Sequence, residues 1–148
     1  MKVQEKRNRM RLCLPALSVN EGVARAAVAA FCSQCNPTVT ELADIKCAVS
    51  EAVTNCIVHA YRACRGEIYI TVKLLKRDGV SISVRDKGCG IADVEKAREP
   101  LFTTDAAGER SGMGFTVMEN FMDKLTVRSR EGVGTTVVLT KYIGRAEE

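Results

Sequence analysis

Thr38 and Glu41 form a capping box, the reciprocal side-chain and backbone pairing that opens a helix. Behind them Leu42, Ile45, Val49, Val53, Cys56 and Ala60 recur with the i, i+3, i+4, i+7 spacing of an amphipathic helix, which predicts a helix from Thr38 to about Tyr61. The segments that follow read as strands. Glu67 to Leu75 is rich in Ile, Tyr, Thr and Val, Val80 to Val84 alternates strictly around Ile82, and Arg77-Asp78-Gly79 is the turn between them. Lys124 to Arg130 and Thr135 to Tyr142 form a second hairpin across Glu131-Gly132-Val133-Gly134. Upstream, Arg11 to Leu17 alternates through Leu12 and Leu14, and Pro15 confines that strand to a sheet edge. Asn20 can cap a helix running to about Cys35, with Val23, Ala27, Ala30 and Phe31 on its apolar side and Asn36-Pro37 as its stop. A short helical stretch covers Ala92 to Arg98, an irregular segment runs from Pro100 to Ser111, and Gly112 to Met122 reads as a further helix. Helices and strands alternate only in part. The expected class is therefore α+β, a two-layer α/β sandwich with a mixed, mostly antiparallel sheet and its helices on one face, in preference to a doubly wound parallel fold.

The chain has 148 residues, enough for one core and too few for two ordinary ones, so one domain must carry all the chemistry. Residues 10–143 are expected to form it, with 1–9 as an N-terminal extension and 144–148 as a tail. Aromatic content of 5% with no Trp argues against a base-stacking nucleic-acid platform, and no direct nucleic-acid contact is expected. Met1 to Arg11 is polar and lacks the apolar stretch of a signal peptide, and no apolar run reaches the ~18 residues of a membrane helix. A cytoplasmic protein without membrane partners is the expectation. Seven cysteines, an odd number without framework spacing, read as reduced thiols. Cys32-x-x-Cys35 lacks the second pair that a zinc site needs and reads as small buried apolar residues.

Three groups of residues carry chemistry. Glu51, Asn55 and His59 stand at i, i+4 and i+8, each about 40° round the helix from the last, and form one polar line apart from the apolar seam. Glu51 can take a proton from an attacking hydroxyl while Asn55 offers a neutral oxygen to Mg²⁺; the same line also fits a solvated helix face. Asp86-x-Gly88-x-Gly90 follows a strand directly, where a carboxylate can accept from an exocyclic amine and glycines let backbone pass close to a flat ligand. In Arg110-Ser111-Gly112-Met113-Gly114 a glycine pair opens a helix, whose free N–H groups and dipole suit phosphate, with Arg110 as an added fork. Neither GxGxxG nor GxxxxGK[ST] occurs, which leaves a nucleotide site of another kind. Pro100 to Ser111, carrying Thr103, Thr104 and Arg110, fits such a site as a lid.

In this order, Glu51-x-x-x-Asn55, Asp86-x-Gly88-x-Gly90, Gly112-x-Gly114 and Gly134-Thr135-Thr136 resemble the four motif boxes of the GHKL (Bergerat-fold) ATPases. More particularly, EAVTNCIVHAY and PLFTTDAAGERSGMGFTVMENFMD resemble the anti-sigma-F serine kinases of sporulating bacteria, from about Met10 onward. That resemblance implies ATP and ADP binding with Mg²⁺, an anti-anti-sigma protein phosphorylated on serine, a sigma factor of the sigma-F type held inactive, and a homodimer. It implies Glu51 as catalytic base, Asn55 as Mg²⁺ ligand, Asp86 as adenine reader, and Gly88, Gly90, Thr104, Arg110, Gly112, Gly114 and Thr135 as the rest of the nucleotide shell. It further assigns Glu21 and Arg25, on the first helix, to a surface shared by both protein partners. Cys56, Cys64 and Cys89 stand where the family would have ordinary small or polar residues. The stress-response anti-sigma kinases share the same boxes, and a nucleotide-gated binding module with incidental catalysis is the other functional class.

Overall fold

A computed structural model describes residues 8–61, 65–76, 78–99 and 114–144. Five strands, β1 (Arg9–Pro15), β2 (Glu67–Leu75), β3 (Gly79–Asp86), β4 (Lys124–Arg130) and β5 (Gly134–Tyr142), form one sheet in the order β1-β2-β3-β5-β4. Every pairing is antiparallel, so the expected mixture of directions resolves into one. The hairpins follow from local chemistry: Asp78 adopts a left-handed φ of 44° in the first turn, and Gly132 a φ of 77° in the second. Pro15 ends β1 at the sheet edge, where its missing N–H costs no ladder bond.

Four helices, α1 (Val19–Cys32), α2 (Val39–Asn55), α3 (Val94–Ala97) and α4 (Gly114–Phe121), complete the described elements. The capping box is formed in full at the start of α2: the Thr38 side chain accepts from Glu41 N–H, and the Glu41 carboxylate from Thr38 N–H. The predicted seam is buried at Ile45, Val49, Val53 and Cys56. Alternate residues of β2, β3 and β5, among them Ile68, Ile70, Val72, Ile82, Val84 and Leu139, meet it from the sheet. Burying each such side chain is worth about 1.5–3 kcal/mol, which makes this contact the main support of the fold.

Four expectations change. On α1 the buried residues are Ala24, Val28, Ala29 and Cys32; Val23 and Ala30 of the predicted face are exposed, and Ala27 is half-buried. Ser18, rather than Asn20, holds the cap position, and the Asn20 amide donates to Pro15 O. The helix ends at Cys32 in a 3₁₀ turn, Ser33–Cys35. Cys32 is buried and its thiol is pushed up to about 12, mainly by desolvation, in keeping with a small apolar residue. At the far end of α2 the helix does not stay α-helical to Tyr61: Cys56–Ala60 form a π-helical turn closed by Tyr61 N–H on Cys56 O at 3.2 Å. Among the described residues no helix is long and apolar enough to cross a membrane.

Candidate functional site

The π turn, the loop after β3 and the start of α4 enclose a cavity of about 780 Å³. Asn55, Cys56 and His59 line it from α2 and the turn, Asp86, Cys89 and Gly90 from the loop, Gly114 from α4 and Thr135 from β5. Asn55, His59, Asp86, Gly90, Gly114 and Thr135, all singled out in the sequence, thus converge on one space, although nearly fifty residues separate Asp86 from Thr135; Glu51 and Gly88 are not part of the lining.

Asp86 is buried at the end of β3. Its Oδ1 accepts two backbone N–H groups, from Gly88 at 2.9 Å and from Thr135 at 3.2 Å. Among the described residues Oδ2 meets only the Cys56 thiol, a weak donor, at 3.6 Å. Burial raises the carboxyl above the ordinary aspartate range, and the two N–H bonds oppose that shift. One oxygen is therefore fixed by the protein, while the other keeps acceptor capacity beside the cavity. Cys56 itself stays a neutral thiol, its titration pushed far up by desolvation and by the neighbouring carboxylate.

The loop holding Asp86 is anchored to α2 by backbone and by Tyr61. Cys89 N–H donates to Ala60 O at 3.0 Å, the Tyr61 hydroxyl accepts from Lys87 N–H at 2.7 Å and donates to Glu67 O at 2.6 Å. The glycines serve this packing. A Cβ on Gly88 would run into the Ala60 carbonyl, and one on Gly90, whose φ is 76°, into the Arg130 carbonyl. Close approach of protein backbone, not of ligand alone, is what demands glycine there. On the β5 side Ser129 Oγ accepts from Ile91 N–H at 2.7 Å and shares a hydrogen bond with Thr135 Oγ1, so Thr135 is locked on both sides of the loop.

Glu51 and Asn55 face the first residue of α4. A Cβ on Gly114 would stand 3.3 Å from Glu51 Oε2 and from Asn55 Oδ1, a tight approach to which the two side chains would have to yield. Asn55 lines the cavity; Glu51 stands one turn back along α2, beside Gly114 and outside the lining. Ile91, Lys96, Glu131 and Val137 also line it and were not singled out from sequence, because none belongs to a motif; Phe115, within the segment that carries the family resemblance, lines it too. Thr103, Thr104, Arg110 and Gly112, with the lid reading of Pro100 to Ser111, lie outside the described residues, as does Cys64. Among the described residues no three His, Cys, Asp or Glu side chains come together as a metal cage.

Glu21 and Arg25 lie away from the cavity, on α1. Arg25 Nη1 pairs with Glu21 Oε1 at 2.8 Å and reaches Ser50 of α2 at 3.2 Å, while Ser50 Oγ also bonds Glu21. The guanidinium is half-buried, its side chain 43% accessible, because the packing of α1 brings Arg25 against Ser50 of α2.

Residues 14–141 match the family described as histidine kinase-like ATPase domain. The chain is 56% identical over 141 residues to the anti-sigma F factor of Caldanaerobacter subterraneus subsp. tengcongensis, covering 95% of this chain and 98% of that one. It is 51% identical over 142 residues to the anti-sigma F factor of Bacillus velezensis, covering 95% and 97%. Among solved structures, the RsbU and RsbW domains of a Mycobacterium tuberculosis protein superpose with a TM-score of 0.68 at 21% identity, over 95% of this chain and 34% of that one. The catalytic domain of the histidine kinase ThkA superposes with a TM-score of 0.58 at 19% identity, over 92% and 96%. These two likenesses bear on the fold alone, which is the one described above. Sequence identity over nearly the whole length carries the rest: the chain belongs to the histidine kinase-like ATPases and, among them, to the anti-sigma F factors.

Proposed function

We propose that this chain binds a sigma factor of the sigma-F type and holds it inactive, and that it transfers phosphate from ATP to a serine of an anti-anti-sigma protein. The observation that carries the enzymatic part is that one cavity is lined by both Asp86 and Asn55. Asp86 Oδ2 keeps an acceptor for the adenine amine, and Asn55 lines the same cavity with Glu51 beside it, just outside the lining and against the start of α4. The Oδ1 of Asp86 is already held by two N–H donors, so the carboxylate is oriented before any ligand arrives, which lowers the ordering cost of binding. Asn55 Oδ1 fits Mg²⁺ as a single neutral ligand, with phosphate oxygens and water completing the shell. The ion supplies neutralisation of the phosphate charge. Glu51 receives the proton of the attacking serine hydroxyl. Thr104, Arg110 and Gly112 complete the phosphate shell in this reading, and the active form is a homodimer in the cytoplasm. Incubating the protein with radiolabelled ATP and the candidate anti-anti-sigma protein tests it directly: label on a partner serine is expected, and no label would remove the kinase reading while leaving sigma-factor binding to be measured by pull-down.

Cys56 gives this reading a finer test. A serine there would place a stronger donor beside Asp86 Oδ2 and compete with the adenine amine, so Cys56→Ser is expected to weaken ADP binding about tenfold, whereas Cys56→Ala keeps native affinity. Equal affinities for all three proteins in calorimetry would mean that Oδ2 does not meet the base.

Arg25 and Glu21 are proposed to contact both protein partners. Ser50 and Glu21 hold the guanidinium in one place, and its exposed part can dock without further ordering. Arg25→Ala should weaken both partners by about 2 kcal/mol or more while leaving ATP binding native. Pull-downs run beside nucleotide titrations on the same variant check this; native partner binding would leave Arg25 as a pin between α1 and α2 only.

A further inference from the structure

Among the described residues the four helices pack on one face of the sheet or at its ends, and none covers the other face. Its charge is one-sided. Register sets Arg9 directly opposite Lys73 and Arg11 opposite Thr71, with Arg11 one pleat along from Arg9. Arg85, Lys124, Arg128 and Arg130 project from the same face, as their alternation with inward residues fixes. Glu67 is the one carboxylate that the strands place there; it stands opposite Pro15, at the far end of β2 from Lys73, and is engaged by Cys13 and Tyr69. Like charges directly opposite each other on a sheet repel. Arg9, Arg11 and Lys73 have no ion-pair partner among the described residues.

Arg11 and Lys73 also line a shallow depression of about 330 Å³ with the hydroxyls of Thr71, Ser81 and Ser83. Two cations and three hydroxyls make a donor set for an oxyanion with several acceptor oxygens. The surrounding face narrows the source. A protein partner would seek apolar or aromatic anchors at a core depleted in charge, and here Val138 is the depression's one apolar residue while the Tyr69 ring is engaged by Arg85 and Lys87. A second copy across a two-fold axis would set this basic face against itself. Nucleic-acid interfaces, by contrast, are polar and strongly positive, and Arg, Lys, Ser and Thr supply their phosphate contacts.

We propose that the uncovered face of the sheet binds nucleic acid through its sugar-phosphate backbone, with the Arg11 and Lys73 depression seating one phosphate. Base stacking, against which the low aromatic content argues, is not required. The contact is independent of sequence and lies across the sheet from the nucleotide cavity, so the two sites fill separately.

The test is fluorescence anisotropy of the full chain with a fluorescein-labelled mixed-sequence DNA oligonucleotide of roughly 20 nucleotides, single-stranded and as a duplex, between about 50 and about 200 mM NaCl. Binding that falls linearly on a log-log salt plot is expected for at least one form. The double variant Arg11→Glu, Lys73→Glu should lose at least ~10-fold in affinity at the lowest salt and flatten the slope by about two, while ADP affinity stays native. Lys46→Glu, an exposed reversal on α2, should leave oligonucleotide binding largely unchanged. Four results would overturn the proposal: no binding of either form at the lowest salt; equal loss in Lys46→Glu, which would reduce the effect to net charge; poly-glutamate bound as tightly as DNA and lost in the double variant, which would assign the face to an acidic polypeptide; or self-association in sedimentation that the double variant abolishes, which would assign it to a second copy.

Discussion

Asp86→Asn is expected to abolish detectable binding of ATP and ADP alike. Two N–H groups converge on Oδ1, so an asparagine must put its carbonyl oxygen there and turn its NH₂ toward the position of Oδ2. That donor then faces the donor amine of adenine in a buried place where water cannot mediate the conflict. An unmade, desolvated bond costs about 1–3 kcal/mol, and more where the lost acceptor was charged. Calorimetry with ADP measures it, and unchanged affinity would show that Asp86 does not read the base. The same geometry sets the sign of a pH effect. Burial holds the native carboxyl above the ordinary range, so it binds a proton more tightly folded than unfolded. Protonation of Asp86 favours the folded state and removes an acceptor: as pH falls through the raised value, this group costs the fold less while nucleotide affinity drops. Asp86→Asn should be folded at neutral pH, with melting no worse than slightly reduced, which separates a lost ligand contact from a lost fold.

Glu51→Gln should leave nucleotide binding near native and lower phosphoryl transfer by roughly 10²–10⁴. The amide has the shape of the carboxylate and fits in the same place beside Gly114, but it cannot take the serine proton. Glu51 does not line the cavity, so its removal takes nothing from the adenine contact. Single-turnover transfer to the partner, measured beside ADP affinity on the same preparation, distinguishes the outcomes: a native transfer rate would mean that another group is the base or that none is needed, and lost ADP binding would mean that α2 had been disturbed.

Much of the architecture was legible because it rests on local chemistry. The capping box at Thr38 and Glu41, the seam of α2, and both hairpins are patterns of neighbouring residues, and short-range hydrogen bonds and alternation enforce them wherever the chain folds. The motif residues were legible for a similar reason, since Asp86, the glycines after it, and Glu51 with Asn55 are each short-range arrangements. Other features depend on what lies across the fold. In α1 ten of the fourteen residues are apolar and mostly small, so nothing in Val19–Cys32 singles out a face, and packing against α2 selected Ala24, Val28 and Cys32 while turning Val23 to solvent. The π turn at Cys56–Ala60 has no sequence mark; it coincides with the Ala60 carbonyl accepting from Cys89, a contact made across twenty-nine positions. At Gly88 and Gly90 the carbonyls of Ala60 and Arg130 forbid a side chain, a reason for glycine beyond the approach of a ligand that only the fold reveals. The clustering of cations on one sheet face was likewise invisible in a net charge of +4, because strand register, not composition, decides which side chains become neighbours.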